Sequence, residues 1–192
     1  MPKVETFNKE EAIKQATGVF HRKSYSLTSM QDLVDATGLN RSSIYNSFGS
    51  KLDLYMLCLK YYQSTFKCNV DEVTSKAATP IKAIEAIFLL NVRNNIDNKN
   101  IGCLINNCTS EMANQETVIE GFLNNNYNNM IQLLGDLIEK GQLEGSINTN
   151  KSSDQYAHYL LNSLQGLGIS GIIMNDYSRL ESIVKTTLSI LN

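Results

Sequence analysis

The chain has 192 residues, of which 42% are hydrophobic and 19% charged, with 11 Gly, 2 Pro and a formal net charge of −2. That length buries a sizeable core without help from a disulfide or metal, and the balance excludes collagen-like, disordered and linker-rich classes. Scarce proline favours long uninterrupted helices. The opening MPKVETFNKEE lacks the apolar core of a signal peptide, and no window holds about 18 consecutive apolar residues, so the expected compartment is the cytoplasm, with no membrane partner.

Cys58, Cys68, Cys103 and Cys108 lie ten, thirty-five and five residues apart, without the close pair that zinc ribbons or thioredoxin-like sites use. Free thiols are expected, and no metal or cofactor. With 2 His in the chain, few imidazoles remain for a hydrolase triad, and catalysis is not expected. Charge is unevenly spread. Residues 1–63 hold eight Lys/Arg against six acids, whereas the remainder holds nine against thirteen, so a polyanion meets the N-terminal part first.

In chain order, Ile13, Ala16, Thr17 and Phe20 repeat at helical spacing behind Asn8, an N-cap, with Phe7 placed as a staple, which predicts a first helix over about 9–22. Thr28 or Ser29 caps a short second helix ending near Ala36, before Gly38. Asn40 caps a third helix to about Phe48, and Ser50 caps a long fourth carrying Leu52, Tyr55, Leu59, Tyr62 and Phe66. Thr79-Pro80 opens a fifth, broken by Asp97–Gly102. A sixth is predicted from about Cys103 to Met112, and a seventh from Gln115 to Lys140, stopped by Gly141. An eighth follows from Ser152 or Ser153 to Met174, and a ninth runs behind Ser178 through Leu191. The fold class is therefore all-α: about nine helices, a three-helix head over residues 1–50 and a helical body over 51–192.

The segment TSMQDLVDATGLNRSSIYNSFGSK, from Thr28 to Lys51, has the layout of a helix-turn-helix. Leu33, Val34, Leu39, Ile44 and Phe48 are its inward residues. Arg41, Ser42, Ser43, Asn46 and Ser47 occupy the polar face of the second helix, the face that enters a major groove. Arg41 suits guanine or a phosphate, and the short serines permit close approach. Tyr45 and Lys51 suit the phosphate backbone.

These residues resemble the tetracycline-repressor (TetR) family of bacterial regulators. The likeness runs from about Phe7 to Tyr62 and is carried by LVDATGL, the Tyr45-x-x-Phe48 pair and Gly49-Ser50-Lys51. It implies double-stranded operator DNA as partner, contacted from Thr28, Ser29, Arg41, Ser42, Ser43, Tyr45, Asn46 and Lys51. It also implies a homodimer formed largely by the last two helices, and a role as repressor, released from a palindromic operator by a small apolar or electrophilic effector. Val34 departs from the family's usual Ala and implies a slightly wider helix crossing. Beyond Tyr62 the resemblance rests on GCLINNCTSEMA at Gly102–Ala113, similar to a subgroup that includes thiol-based electrophile sensors.

In the body, Phe88, Val92, Cys103, Asn106, Phe122, Tyr127, Met130 and Tyr159 are the candidate ligand-binding residues, although core packing explains each equally well. Cys103 reads either as a thiol activated by a helix start or as a small packing residue. His158 either serves a pocket or finishes a polar patch, and the Asn-rich run 124–129 reads as a solvated or pocket-facing turn. Gly166, Gly168, Gly171, Ile183, Val184 and Leu188 are the candidate dimer interface. The same glycines spell G-x-G-x-x-G, but the motif lacks the preceding strand and following acid that dinucleotide binding needs. The competing reading is a helical small-molecule-binding or thiol-reactive protein without DNA binding. Arg41, Tyr45 and Lys51 argue against it.

Overall fold

The computed structural model describes residues 7–98 and 101–192. Lys99 and Asn100, inside the predicted break after the fifth helix, lie outside them, as does most of the N-terminal stretch read for a signal peptide. Among the described residues there are nine α-helices, a terminal 3-10 turn and no strand. They are α1 (Lys9–Leu27), α2 (Met30–Thr37), α3 (Arg41–Phe48), α4 (Lys51–Ser75), α5 (Pro80–Asp97), α6 (Leu104–Met112), α7 (Thr117–Leu143), α8 (Ser153–Ile173) and α9 (Tyr177–Leu188).

The chain divides into two compact units, 1–65 and 66–192. The boundary falls inside α4 rather than at residue 50, because the first turns of α4 supply head core: Leu54, Tyr55, Cys58 and Leu59 are buried. Ala16, Val19, Phe20, Leu33, Ile44 and Phe48 of the three preceding helices are buried with them, and the Phe20 and Tyr55 rings lie 4.8 Å apart. Phe7 is held edge-on to Phe48, ring centroids 6.0 Å apart. Burial pushes the Cys58 thiol up to about 12.

In the second unit α5 is central. Its Ile84, Ile87, Phe88 and Val92 are buried among Leu134 and Ile138 of α7, Leu160, Leu161 and Leu164 of α8, and Leu180, Val184 and Leu188 of α9. The continuous apolar character of α5 follows from this enclosure on several sides.

One seam of that unit is polar. Asn95, 3% exposed, donates from Nδ2 to Asn91 Oδ1 at 3.3 Å, and Asn106 Nδ2 reaches the Gln165 carbonyl at 3.5 Å. The Asn95 Oδ1 has no donor. These amides lie against Gly168 and Gly171 of α8: a Cβ on Gly171 would sit 2.7 Å from Asn95 Nδ2, and one on Gly168 3.1 Å from Asn106 Nδ2. The two glycines thus admit neighbouring helices of their own chain. They do not line a face open to a second copy.

Three predicted boundaries move. Gly141 does not end α7; it is buried, with Ile147 packed where its Cβ would be, and the left-handed residue that follows the helix is Gly145 at φ 74°. Asp176, not Ser178, caps α9, accepting from the Arg179 amide. Helix α1 continues to Leu27 only across a kink at Ser24.

Candidate functional site

The head's helix starts are fixed by short side chains. Ser29 and Asp32 form a reciprocal capping box at α2, and Ser50 and Asp53 repeat it at α4, each aspartate accepting the serine amide while the serine hydroxyl accepts the aspartate amide. Both carboxyls are held below their ordinary range by these bonds. Asp32, which also accepts from Lys23 at 2.6 Å, is lowered to about 2, chiefly by that lysine. Between the boxes, Gly38 takes the left-handed conformation (φ 68°, ψ 4°) that turns α2 into α3, and Asn40 caps α3 by accepting from the Ser43 amide at 2.8 Å.

Helix α3 therefore presents a defined face. Ile44 and Phe48 are buried beneath it, whereas Arg41, Ser42, Asn46 and Tyr45 are exposed and Ser43 and Ser47 half-buried. No acid lies on α3, and Arg41 has no protein partner among the described residues. Lys51, at the first position of α4, lies over the Tyr25 ring at 4.3 Å. Tyr25 is in turn tilted against Tyr55, centroids 5.0 Å apart. The Tyr25 backbone is redirected by Ser24, whose φ of 66° with ψ 172° falls in a region essentially reserved for glycine. Sequence periodicity does not reveal Ser24 or Tyr25 as supports for Lys51. Ser29 and Ser50 are expected as caps from the sequence, whereas the part of Asp32 and Asp53 in completing the boxes is not; the Ser-x-x-Asp spacing is the signal that carries it.

Seven of the eight expected DNA-contacting residues are thus exposed or half-buried in the head. Thr28 is the exception: it is buried, and its hydroxyl donates to the Ser24 carbonyl at 2.6 Å, closing the kink rather than facing outward.

In the body the expected ligand residues do not converge. Phe88 and Val92 belong to the packed core. Tyr127 lines an open groove of about 200 Å³ together with Ile105, Thr109, Ala113 and Asn114, Glu120, Leu123, Asn124 and Asn126, and Gln165. Cys103, Asn106, Phe122, Met130 and Tyr159 are not part of its lining. Two of the run of asparagines face this groove, which gives that sequence bias a structural place. His158 is exposed and sits beside it, its Nδ1 sharing a hydrogen bond with the Tyr127 hydroxyl at 3.0 Å and its Nε2 lying 3.6 Å from Asp154.

Cys103 is the half-buried N-cap of α6 and makes no capping bond with its side chain. Cys58 and Cys108 are buried, while Cys68 is exposed on α4. Of the expected dimer residues, Gly168, Gly171, Val184 and Leu188 are buried in the chain's own unit. Gly166 and Ile183 are exposed, as are Ile169, Ile172 and Ile173 of α8.

Residues 12–56 match the family model of the bacterial regulatory proteins, tetR family. The chain is 26% identical to the HTH-type transcriptional repressor ComR of Escherichia coli (strain K12) over 190 residues, covering 97% of this chain and 89% of that protein. Against the HTH-type transcriptional repressor BdcR of the same strain it is 37% identical over 59 residues, 31% of this chain and 30% of that one. In structure it is similar to the TetR family regulator CifR, solved as a cysteine mutant complexed with 26-bp double-strand operator DNA. That match has a TM-score of 0.88 at 19% identity and covers 99% of this chain and 100% of the other. A TetR regulator from Chloroflexus aurantiacus gives 0.83 at 21% identity, with 94% and 91% covered.

Proposed function

Because the chain belongs to the TetR family of bacterial regulatory proteins, we propose that it is a homodimeric repressor that grips a palindromic operator and leaves it when a small molecule binds the body. One observation carries the DNA half of this reading: an acid-free α3 exposes Arg41, Ser42, Asn46 and Tyr45 beside Lys51, on a scaffold fixed by two capping boxes and two glycines. Arg41 supplies a bidentate donor for a guanine edge or a phosphate, and Tyr45 and Lys51 take backbone phosphates. Two heads on a dimer read half-sites about one helical turn (~34 Å) or a multiple apart.

The exposed Ile169, Ile172 and Ile173 of α8 and Ile183 of α9 support self-association through these two helices, since large aliphatics left in water favour a partner surface. Release follows if the effector prefers the chain conformation in which the two heads no longer match the operator spacing. Cys103 supports an electrophile as one class of effector, because its half-buried thiol lies at the N-cap of α6 with no capping hydrogen bond.

The test is selection of bound duplex from a random pool at low salt, followed by a salt titration. A specific palindrome and a steep fall in affinity with salt are expected. Failure to select any sequence removes the repressor reading. Dimerisation is checked by light scattering, with Ile173→Asp expected to yield monomer. Alkylation rates for each cysteine, read with operator release, decide the thiol route: release surviving in Cys103→Ser shows that the effector acts elsewhere.

A further inference from the structure

We propose that the groove between α6, α7 and α8 is a site for a small organic cation, a primary alkylammonium, rather than for an acid or a wholly apolar molecule. This deepens the effector reading above and rests on it. On α7, Glu120, Asn124 and Tyr127 stand at i, i+4 and i+7, one stripe along one wall of the groove, with Gln165 of α8 also among its lining. Glu120 is the one charged residue of that lining, and no Lys, Arg or His belongs to it.

Glu120 has no ion-pair partner among the described residues, and the side chains of Asn124 and Gln165 have no protein hydrogen bond there. Glu120 stands in the first turn of α7. An ammonium group entering the groove finds that carboxylate, amide oxygens to accept its protons and the Tyr127 ring for a cation–π contact. The phenol is held by His158, at 3.0 Å, a residue outside the lining. Ile105 and Leu123 offer an apolar wall for a short alkyl chain. A carboxylate ligand would instead bring its charge to Glu120 with no cation in the lining to answer it.

The probes are butylammonium and its counterpart butyrate, added at millimolar concentrations to the full-length protein and followed by saturation-transfer NMR. Saturable butylammonium binding is expected, with butyrate giving none. Glu120→Gln should weaken the cation at least tenfold, and Glu120→Lys should abolish it and admit butyrate. Glu120 is exposed, so both variants keep the fold, as thermal unfolding will verify. The proposal is overturned if butyrate binds the wild type as well as butylammonium does, if Glu120→Gln changes affinity less than twofold, or if neither probe binds. Operator affinity of the same samples separates the two readings. Binding through Glu120 that leaves operator affinity unmoved sustains the cation site and removes effector control through it. Operator release by other molecules, with no butylammonium binding, sustains effector control and removes the cation site.

Discussion

The two units of this chain solve their local problems with different chemistry. In the head, consecutive short-range devices do the positioning: serine and aspartate boxes at α2 and α4, Asn40 at α3, left-handed Gly38 and a strained Ser24. In the body, a thick aliphatic core around α5 holds the helices, and the polar features are amides drawn from distant parts of the chain, such as Asn106 with Gln165. Local devices set a surface through neighbours in sequence, whereas a groove built from residues 105–165 exists only once three helices have packed.

The largest expected effect tests whether Phe88 belongs to that core. Phe88→Ala should cost about 3–5 kcal/mol in urea unfolding, because the side chain is enclosed and its neighbours cannot fully collapse. A loss under about 1 kcal/mol would return Phe88 to the list of cavity residues and blur the distinction between the units. Next in size, Arg41→Ala should weaken specific operator binding by about 1–3 kcal/mol and relax the preferred sequence, as seen in gel-shift titrations against the selected palindrome and point variants of it. Unchanged specificity would mean that the exposed face of α3 is not the reading surface.

Ser24→Gly should stabilise the protein by about 1 kcal/mol in thermal unfolding, since glycine reaches φ 66° and ψ 172° freely. A destabilised variant would show that the hydrogen bond received by the Ser24 carbonyl does not survive the exchange, and that the kink depends on the serine. The smallest effect is in acid. Asp32 titrates near 2 when folded and nearer 4 when unfolded, so its contribution is complete above about pH 4 and is lost as pH falls toward 2. Asp32→Asn should flatten that part of the stability curve while leaving neutral pH little changed, the pair with Lys23 being exposed.

The head was readable because its determinants are local in sequence. The spacing of Leu33, Gly38, Ile44 and Phe48 already orients α2 against α3, so the exposed residues between them follow by elimination. Thr28 escaped this logic: its burial depends on the Ser24 kink, and no pattern of residue types announces a non-glycine in a glycine conformation. In the body, helical periodicity placed every helix to within a few residues but could not tell core from cavity. Phe88 and Tyr127 are both aromatic residues on helices, and only packing makes one a core residue and the other part of a groove wall. The glycines of α8 show the same ambiguity. A small-residue face signals close approach to something, and here the neighbours are Asn95 and Asn106 of the same chain.

That amide and glycine seam has a mechanical meaning. Aliphatic side chains interlocked between helices resist sliding, because each must climb out of the hollow that receives it. At Gly168 and Gly171, α8 carries no side chains of its own: Asn95 of α5 fills the space over Gly171 and Asn106 of α6 that over Gly168, and an amide contact crosses from α6 to α8, Asn106 Nδ2 to the Gln165 carbonyl at 3.5 Å. A contact that long resists sliding less than interlocked aliphatic side chains do. The body is thus interlocked where α5 meets α7, α9 and the Leu160–Leu164 part of α8, and carries its polar, glycine-lined contacts where the later part of α8 meets Asn95 and Asn106.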